Sequence, residues 1–156
     1  MPGLNDSKKL DTTDRAKLFD YLHKIPLALV RAGADIIDQQ GIRPVLVQSH
    51  TLAVQTLLQK YPDAAVIVDG IVPLPQVPQA RLIPKADGKY PAVMAASVVA
   101  KHSRDVEMQE MHLLYPDWGF DTGVGYGTKK NREGLERLGM SPIHRRSYEP
   151  MKSMPG

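Results

Sequence analysis

Apolar residues at helical spacing alternate with short uninterrupted apolar runs along this chain. Leu18, Phe19 and Leu22 form the stripe of a first helix, capped by Thr12 or Thr13 and running to about residue 23, with Pro26 as its stop. Leu27-Ala28-Leu29-Val30 reads as a short strand, and residues 35–40 as a brief helical turn closed by Gly41. A second helix is expected over 49–60, ended by Tyr61-Pro62-Asp63. Ala64-Ala65-Val66-Ile67-Val68 then runs without a polar interruption into Asp69-Gly70, the pattern of a strand buried on both faces in a parallel or mixed sheet. Pro73, Pro75 and Pro78 make 71–79 an extended loop, and Arg81-Leu82-Ile83-Pro84 is another short strand. A long helix is expected over 92–115, with Val98, Val99, Val106 and Leu113 turned to the core and Pro116 as its end. A glycine-rich loop over 119–127, a last helix over 129–138 stopped by Gly139, and an irregular proline-containing tail over 141–156 complete an α/β chain. With no repeats and no composition break, 1–156 reads as a single domain.

Composition narrows the setting. A 42% hydrophobic content supports an ordinary core, and the absence of cysteine excludes disulfides and cysteine-ligated zinc, as suits a reducing cytoplasm. No apolar run is long enough to span a bilayer, and the opening Met1-Pro2-Gly3-Leu4-Asn5-Asp6 has no signal-peptide core. The expectation is a soluble, cytoplasmic protein with no membrane partner. Net charge is only +3, but Lys129, Lys130, Arg132, Arg137, Arg145, Arg146 and Lys152 crowd the last third. That distribution suits phosphate contacts, and equally an ordinary solvated surface.

Four groups of residues could carry chemistry. Asp69 ends a strand, where open α/β sheets place their ligands, and its carboxylate could hold a hard cation such as Mg²⁺; Asp-Gly is also a plain turn signal. Ser97, Lys101 and Asp105 lie four apart on one helical face, which fits a metal-ligand carboxylate beside phosphate-binding groups or an exposed ion pair. Gly123-Val124-Gly125-Tyr126-Gly127-Thr128 could let backbone approach a sugar-phosphate while Tyr126 stacks, or be a surface loop. His144-Arg145-Arg146-Ser147-Tyr148 could bind a phosphodiester or pack on surface carboxylates. His23, His50, His102 and His112 show no metal-ligand spacing.

In this order the motifs resemble the ribonuclease HII family. Gly3-Leu4-Asn5-Asp6-Ser7-Lys8-Lys9-Leu10 is similar to its G-L-x-D-S-K-x-L segment, and Ile37-Asp38-Gln39-Gln40-Gly41-Ile42 to its I-D-x-x-x-I segment. Val66-Ile67-Val68-Asp69-Gly70 resembles the strand that ends in the third catalytic aspartate. The stretch from Ala95-Ala96-Ser97 through Ala100-Lys101 to Arg104-Asp105 resembles the helix that ends in the fourth. Tyr115-Pro116 through Gly125-Tyr126-Gly127-Thr128, and His144-Arg145-Arg146-Ser147-Tyr148, are similar to its Y-P…G-Y-G-T and H-R-R-S-F segments.

The resemblance implies a ribonuclease H-like mixed sheet flanked by helices. It also implies two-metal hydrolysis, with Mg²⁺ or Mn²⁺, of the RNA strand of RNA–DNA hybrids and of the phosphodiester 5′ to ribonucleotides in duplex DNA. By resemblance Asp69 and Asp105 are catalytic metal ligands. Ser7, Lys8, Lys101, Arg145 and Arg146 contact phosphate, and Tyr126 stacks near the deoxyribose. The family's opening strand, D-E-x-G-R-G, supplies two further carboxylates; this chain starts after it and contains neither Asp-Glu nor Gly-Arg-Gly. The expectation is a fold lacking its first strand, whose alternatives to catalysis are duplex binding without cleavage or completion by a second chain. Smaller departures are Ile71 for an asparagine, Ala86 for the glycine of K-G-D, and Gly123-Val124 for a His-Lys pair.

Overall fold

The computed structural model describes residues 10–123 and 127–154. Its elements, in order, are α1 (Thr12–Leu22), α2 (Ala34–Gln40), α3 (Ile42–Leu58), β1 (Ile67–Asp69), β2 (Arg81–Ile83), α4 (Pro91–Leu114), α5 (Phe120–Gly123) and α6 (Lys129–Leu138). Short 3-10 turns occupy Ala86–Gly88, Pro116–Trp118 and Met151–Ser153. The backbone groups into two compact units, one of residues 1–31 and 43–102, the other of 32–42 and 103–156. No helix among the described residues is long and apolar enough to cross a membrane.

In the first unit the N-cap of α1 is Asp11, not either threonine: its carboxylate accepts the Asp14 N–H at 2.7 Å. An aspartate cap also sets a negative charge against the positive end of the helix dipole. Leu22 sits at the centre of a cluster with Val98 and Val99 of α4, surrounded by Leu10, Leu18, Phe19 and Ala95. The stripe at 18, 19 and 22 is therefore the face that α1 buries. The helix expected from residue 49 begins seven residues earlier, at Ile42. Pro44 falls in its first turn, where a missing N–H costs nothing.

The sheet is a parallel pair, with Ile67 opposite Arg81, Val68 opposite Leu82 and Asp69 opposite Ile83. Val47, Val54 and Leu58 of α3 line up at helical spacing over Val68, Leu74 and Val77. The strand at 64–69 is shorter and less buried than its apolar run suggested. Ala64 and Ala65 are exposed and only Val68 is buried. Among the described residues β1 pairs with β2 over three positions. The 71–79 connection is a series of turns rather than an extended loop: Val77 N–H donates to Leu74 and Ala80 N–H to Val77. Both Leu74 and Val77 are thereby buried under the sheet. Residues 27–30 form no strand, and Leu27 and Leu29 are exposed; the described sheet consists of β1 and β2, neither of which pairs with them.

In the second unit α6 packs on the 3-10 turn at Pro116–Trp118. Trp118 Nε1 donates to the Gly139 carbonyl at 2.9 Å, and Asn131 Nδ2 donates to the Trp118 carbonyl at 2.9 Å. The contact needs Gly134, where a Cβ would stand 2.7 Å from the Asp117 carbonyl oxygen and 3.0 Å from Trp118 Cα. Both obstacles are backbone, which cannot rotate aside. A mid-helix Gly→Ala exchange ordinarily gains about 1 kcal/mol. Here Gly134→Ala should instead destabilise by roughly 1–3 kcal/mol through overpacking, read as a lower urea midpoint with unchanged slope. A stabilised variant would show that α6 stands off from the turn in solution.

Of the loop expected over 119–127, residues 120–123 are helical and 124–126 lie outside the described residues. Thr128 caps α6, its hydroxyl accepting the Asn131 N–H at 3.2 Å, and Gly139 closes it at φ 74°.

Candidate functional site

Asp69 stands at the carboxyl end of β1 with its side chain exposed. One carboxylate oxygen accepts the backbone N–H of Ala86 at 2.9 Å, 17 residues downstream. That bond ties the turn after β2 to the end of β1 and gives Asp69 a fixed orientation. Gly70 follows at φ 114°, a backbone conformation that side-chain-bearing residues rarely adopt, and its N–H continues the ladder to the Ile83 carbonyl at 3.2 Å. The turn itself holds Lys85 in the left-handed region at φ 57°. Ala86, fully buried, has no positive φ, so the position where the family usually carries glycine accepts a methyl group. Ile71, in place of an asparagine, is 75% exposed.

On α4 the stripe expected at Ser97, Lys101 and Asp105 divides by exposure. Ser97 and Lys101 are half-buried, whereas Asp105 is only 6% exposed. The core side of the helix runs through Val98, Val99, Ser103, Asp105 and Met108. Val106 and Leu113, expected in the core, are exposed, Leu113 by 81%. The buried face of α4 thus passes through Asp105 and Met108, and Val106 lies on its exposed side. Asp69 and Lys101 belong to the first unit, and Asp105, Arg145 and Arg146 to the second.

Carboxylate oxygens are the donors that a hard dication such as Mg²⁺ or Mn²⁺ prefers. Asp69 and Asp105 are right in kind. Among the described residues no three or more histidine, cysteine, aspartate or glutamate side chains gather into one group.

The arginine pair stands on a turn that Asp38 holds by its backbone amides. Asp38 of α2 receives the backbone N–H of Arg146 at 2.8 Å on one oxygen and that of Ser147 at 3.0 Å on the other, with the Ser147 hydroxyl donating to it as well. Burial pulls the Asp38 pKa upward, but the hydroxyl and amide donors and the nearby Arg145 guanidinium outweigh it and hold the carboxyl below its ordinary 3.8. Arg145 lies over the Tyr148 ring at 5.4 Å and is half-buried; Arg146 is exposed.

Beneath them His144, 8% exposed, packs against Phe120 with ring centroids 5.3 Å apart. Its Nδ1 receives the Ser141 N–H at 3.0 Å and faces the Ser141 hydroxyl at 2.7 Å; its Nε2 faces the Asn131 amide nitrogen at 3.3 Å. The Ser141 N–H aimed at Nδ1 needs that nitrogen unprotonated, which an imidazolium does not offer. Burial likewise holds the His144 pKa below 6.5. His144 thus anchors the turn from inside, and is not the phosphate-facing group that its place beside the arginines suggested.

The basic third is less free than its composition implies. Lys129 lies 3.7 Å from Glu133, Lys130 lies 3.1 Å from Asp121 and Arg137 lies 3.1 Å from Asp117. Ser7, Lys8 and Tyr126 fall outside the described residues. Two residues that matter here were not chosen from sequence for their roles: Asp38, whose partners lie 108 and 109 positions away, and Asn131. For Asp38 the only sequence signal was its place in the I-D-x-x-x-I resemblance, which named no function.

The family model for ribonuclease HII matches residues 1–151. Among curated proteins, the chain is 40% identical over 154 residues to a ribonuclease HII of Enterococcus faecalis, covering 97% of this chain and 59% of that protein. It is 38% identical over 156 residues to a ribonuclease HII of Chlamydia pneumoniae, covering 98% of this chain and 72% of the relative. A ribonuclease HII of Dichelobacter nodosus is 38% identical over 157 residues, with 99% and 82% covered. This chain belongs to the ribonuclease HII family, and its α/β fold is of the ribonuclease H-like class.

Proposed function

We propose that this ribonuclease HII family member is an endonuclease that hydrolyses the RNA strand of RNA–DNA hybrids and the phosphodiester 5′ to ribonucleotides embedded in duplex DNA. The observation that carries this reading is Asp69, a strand-end carboxylate held by the Ala86 N–H at 2.9 Å beside a glycine turn. In this reading Asp69 and Asp105 are the carboxylates that the chain contributes to divalent metal, Mg²⁺ or Mn²⁺. A bound ion of that type supplies Lewis-acid polarisation of the phosphoryl group and an activated water. The chain's own residues bind and orient. Lys101, Arg145 and Arg146, with Ser7 and Lys8 of the opening segment, contact phosphate, while Tyr126 stacks on the sugar side of the scissile step. The same reading takes residues 1–156 as one ribonuclease H-like domain working in the cytoplasm.

A second reading starts from the number of metal-ligand carboxylates that the resemblance assigns to this chain, Asp69 and Asp105. In it the chain binds duplexes, and cuts them only when another polypeptide supplies further carboxylates. One assay separates the two: incision of an end-labelled DNA duplex carrying one ribonucleotide, with Mg²⁺ or Mn²⁺. Incision 5′ to the ribonucleotide by this chain alone supports the first reading. Duplex binding without incision, with cutting restored by an added D-E-x-G-R-G polypeptide, supports the second. Neither binding nor cutting by a folded chain would sink both.

A further inference from the structure

Asp38 sits where simple electrostatics says it should not. It lies in the last turn of α2, whose terminal carbonyls already make that end negative, and beside two arginines read as ligands for a polyanion. A lone carboxylate there would repel the very phosphates that Arg145 and Arg146 attract. Yet its two oxygens are taken up by consecutive backbone N–H groups at 2.8 and 3.0 Å and by the Ser147 hydroxyl. Successive amides pointing at one anion make an anion-binding concavity. Asp38 fills it from within the protein. Ile37, buried beside it, anchors α2, and Gly41 closes the helix, so the carboxylate is presented from a fixed element. On the other side the His144 ring is bonded at the Ser141 amide. The Arg145-Arg146 backbone is thus fastened at both ends, by His144 before it and by Asp38 at and after it.

We infer that Asp38 is the positioning residue of the arginine pair: it binds no substrate, but its clamp on the Arg146 and Ser147 amides sets the direction in which Arg145 and Arg146 meet a nucleic-acid backbone. The inference rests on the reading that those arginines contact phosphate. It makes a prediction opposite in sign to charge alone. Removing a carboxylate next to a phosphate site should tighten polyanion binding if Asp38 is a bystander, or if it fills the concavity in competition with phosphate. If it is the clamp, its removal weakens binding.

The test is fluorescence anisotropy of the full chain with a short labelled RNA–DNA hybrid, without divalent ion, over a range of salt concentrations. Asp38→Ala should raise Kd about tenfold near ~0.1 M salt and make the slope of log K against log salt shallower by about one, the equivalent of one lost phosphate contact. Asp38→Asn keeps one acceptor oxygen and should move both quantities in the same direction by less; it carries the test should the alanine variant not fold. Hydrogen exchange at the amides of Arg146 and Ser147 should speed up in both variants, a local readout that binding does not influence. Equal or tighter binding by the Asp38 variants, while a double Arg145→Ala, Arg146→Ala variant binds weakly, overturns the clamp and leaves the functional reading standing. No effect of the double arginine variant sinks the functional reading, and the clamp's purpose with it.

Discussion

Asp69→Asn should cost the chain its incision activity while leaving it folded. Asparagine keeps the shape of the side chain and an oxygen that can still accept the Ala86 N–H, so the link from β1 to the turn at Ala86–Gly88 survives. What disappears is the negative charge, and with it the affinity of a hard carboxylate oxygen for a dication. Losing even an outer partner of a metal ligand costs about 10–100-fold. Losing the ligand charge itself should therefore lower the incision rate by more than about 100-fold. Stability should change by less than about 1 kcal/mol, as isosteric exchanges at exposed sites do. Asp69→Ala separates the two roles. It loses activity as well, and also leaves the amide of a fully buried residue without an acceptor, a penalty of about 1–3 kcal/mol. Incision kinetics and urea unfolding of both variants make the comparison. If Asp69→Asn cuts at the rate of the parent chain, Asp69 is only a structural cap and the metal assignment is wrong. For a parent chain that needs an added polypeptide to cut, the same comparison is made in the reconstituted mixture.

His144→Ala should be the most damaging single change in the second unit. The ring packs against Phe120 and accepts the Ser141 N–H at 3.0 Å, in a residue that is 1% exposed. Removing it leaves a buried donor unpaired, at about 1–3 kcal/mol, and a cavity that adds to the loss. A total of roughly 3 kcal/mol is expected, visible as a lower thermal midpoint. The same variant tests the charge state. A histidine whose folded pKa is depressed binds fewer protons folded than unfolded, so stability is full above its unfolded value of 6.5 and declines as pH falls below it. That part of the acid sensitivity should vanish with the ring. A variant equally stable at neutral pH would mean that His144 is not the anchor of this turn. Hybrid binding should weaken in parallel, because the 145–146 backbone loses one of its two fastenings.

Much of the local structure was legible in the sequence. The limits of α6 follow from Thr128 as cap and Gly139 as stop, and the end of α4 from Pro116, because caps and stops act within a few residues. The stripe of α1 and the places of two short strands also came from periodicity and apolar runs, while their pairing with each other did not. Asp69 and Asp105 were singled out by order and spacing. The same local signals failed where a neighbour decides the outcome. Residues 27–30 have strand composition but pair with neither strand of the described sheet, and Ala64 and Ala65 are apolar but exposed. Val106 and Leu113 are apolar too, yet the face of α4 that is buried was chosen by packing and includes a carboxylate instead.

By itself, then, the sequence determined the family, the helices with strong end signals, and the residue types on which hydrolysis would depend. These rest on local chemistry and on motif order, which a linear chain carries in full. Only the tertiary structure decided that Asp38 grips the backbone of Arg146 and Ser147, that His144 is a buried anchor, and that Asp69 is oriented by Ala86. The contacts of Asp38 and Asp69 join positions 108, 109 and 17 residues apart, and no periodicity links them. His144 lies only three residues from Ser141, but its burial comes from Phe120 and Asn131, brought to it by the fold. A hydrogen bond is set by where two groups end up within about 3 Å, and that distance exists only once the chain has folded.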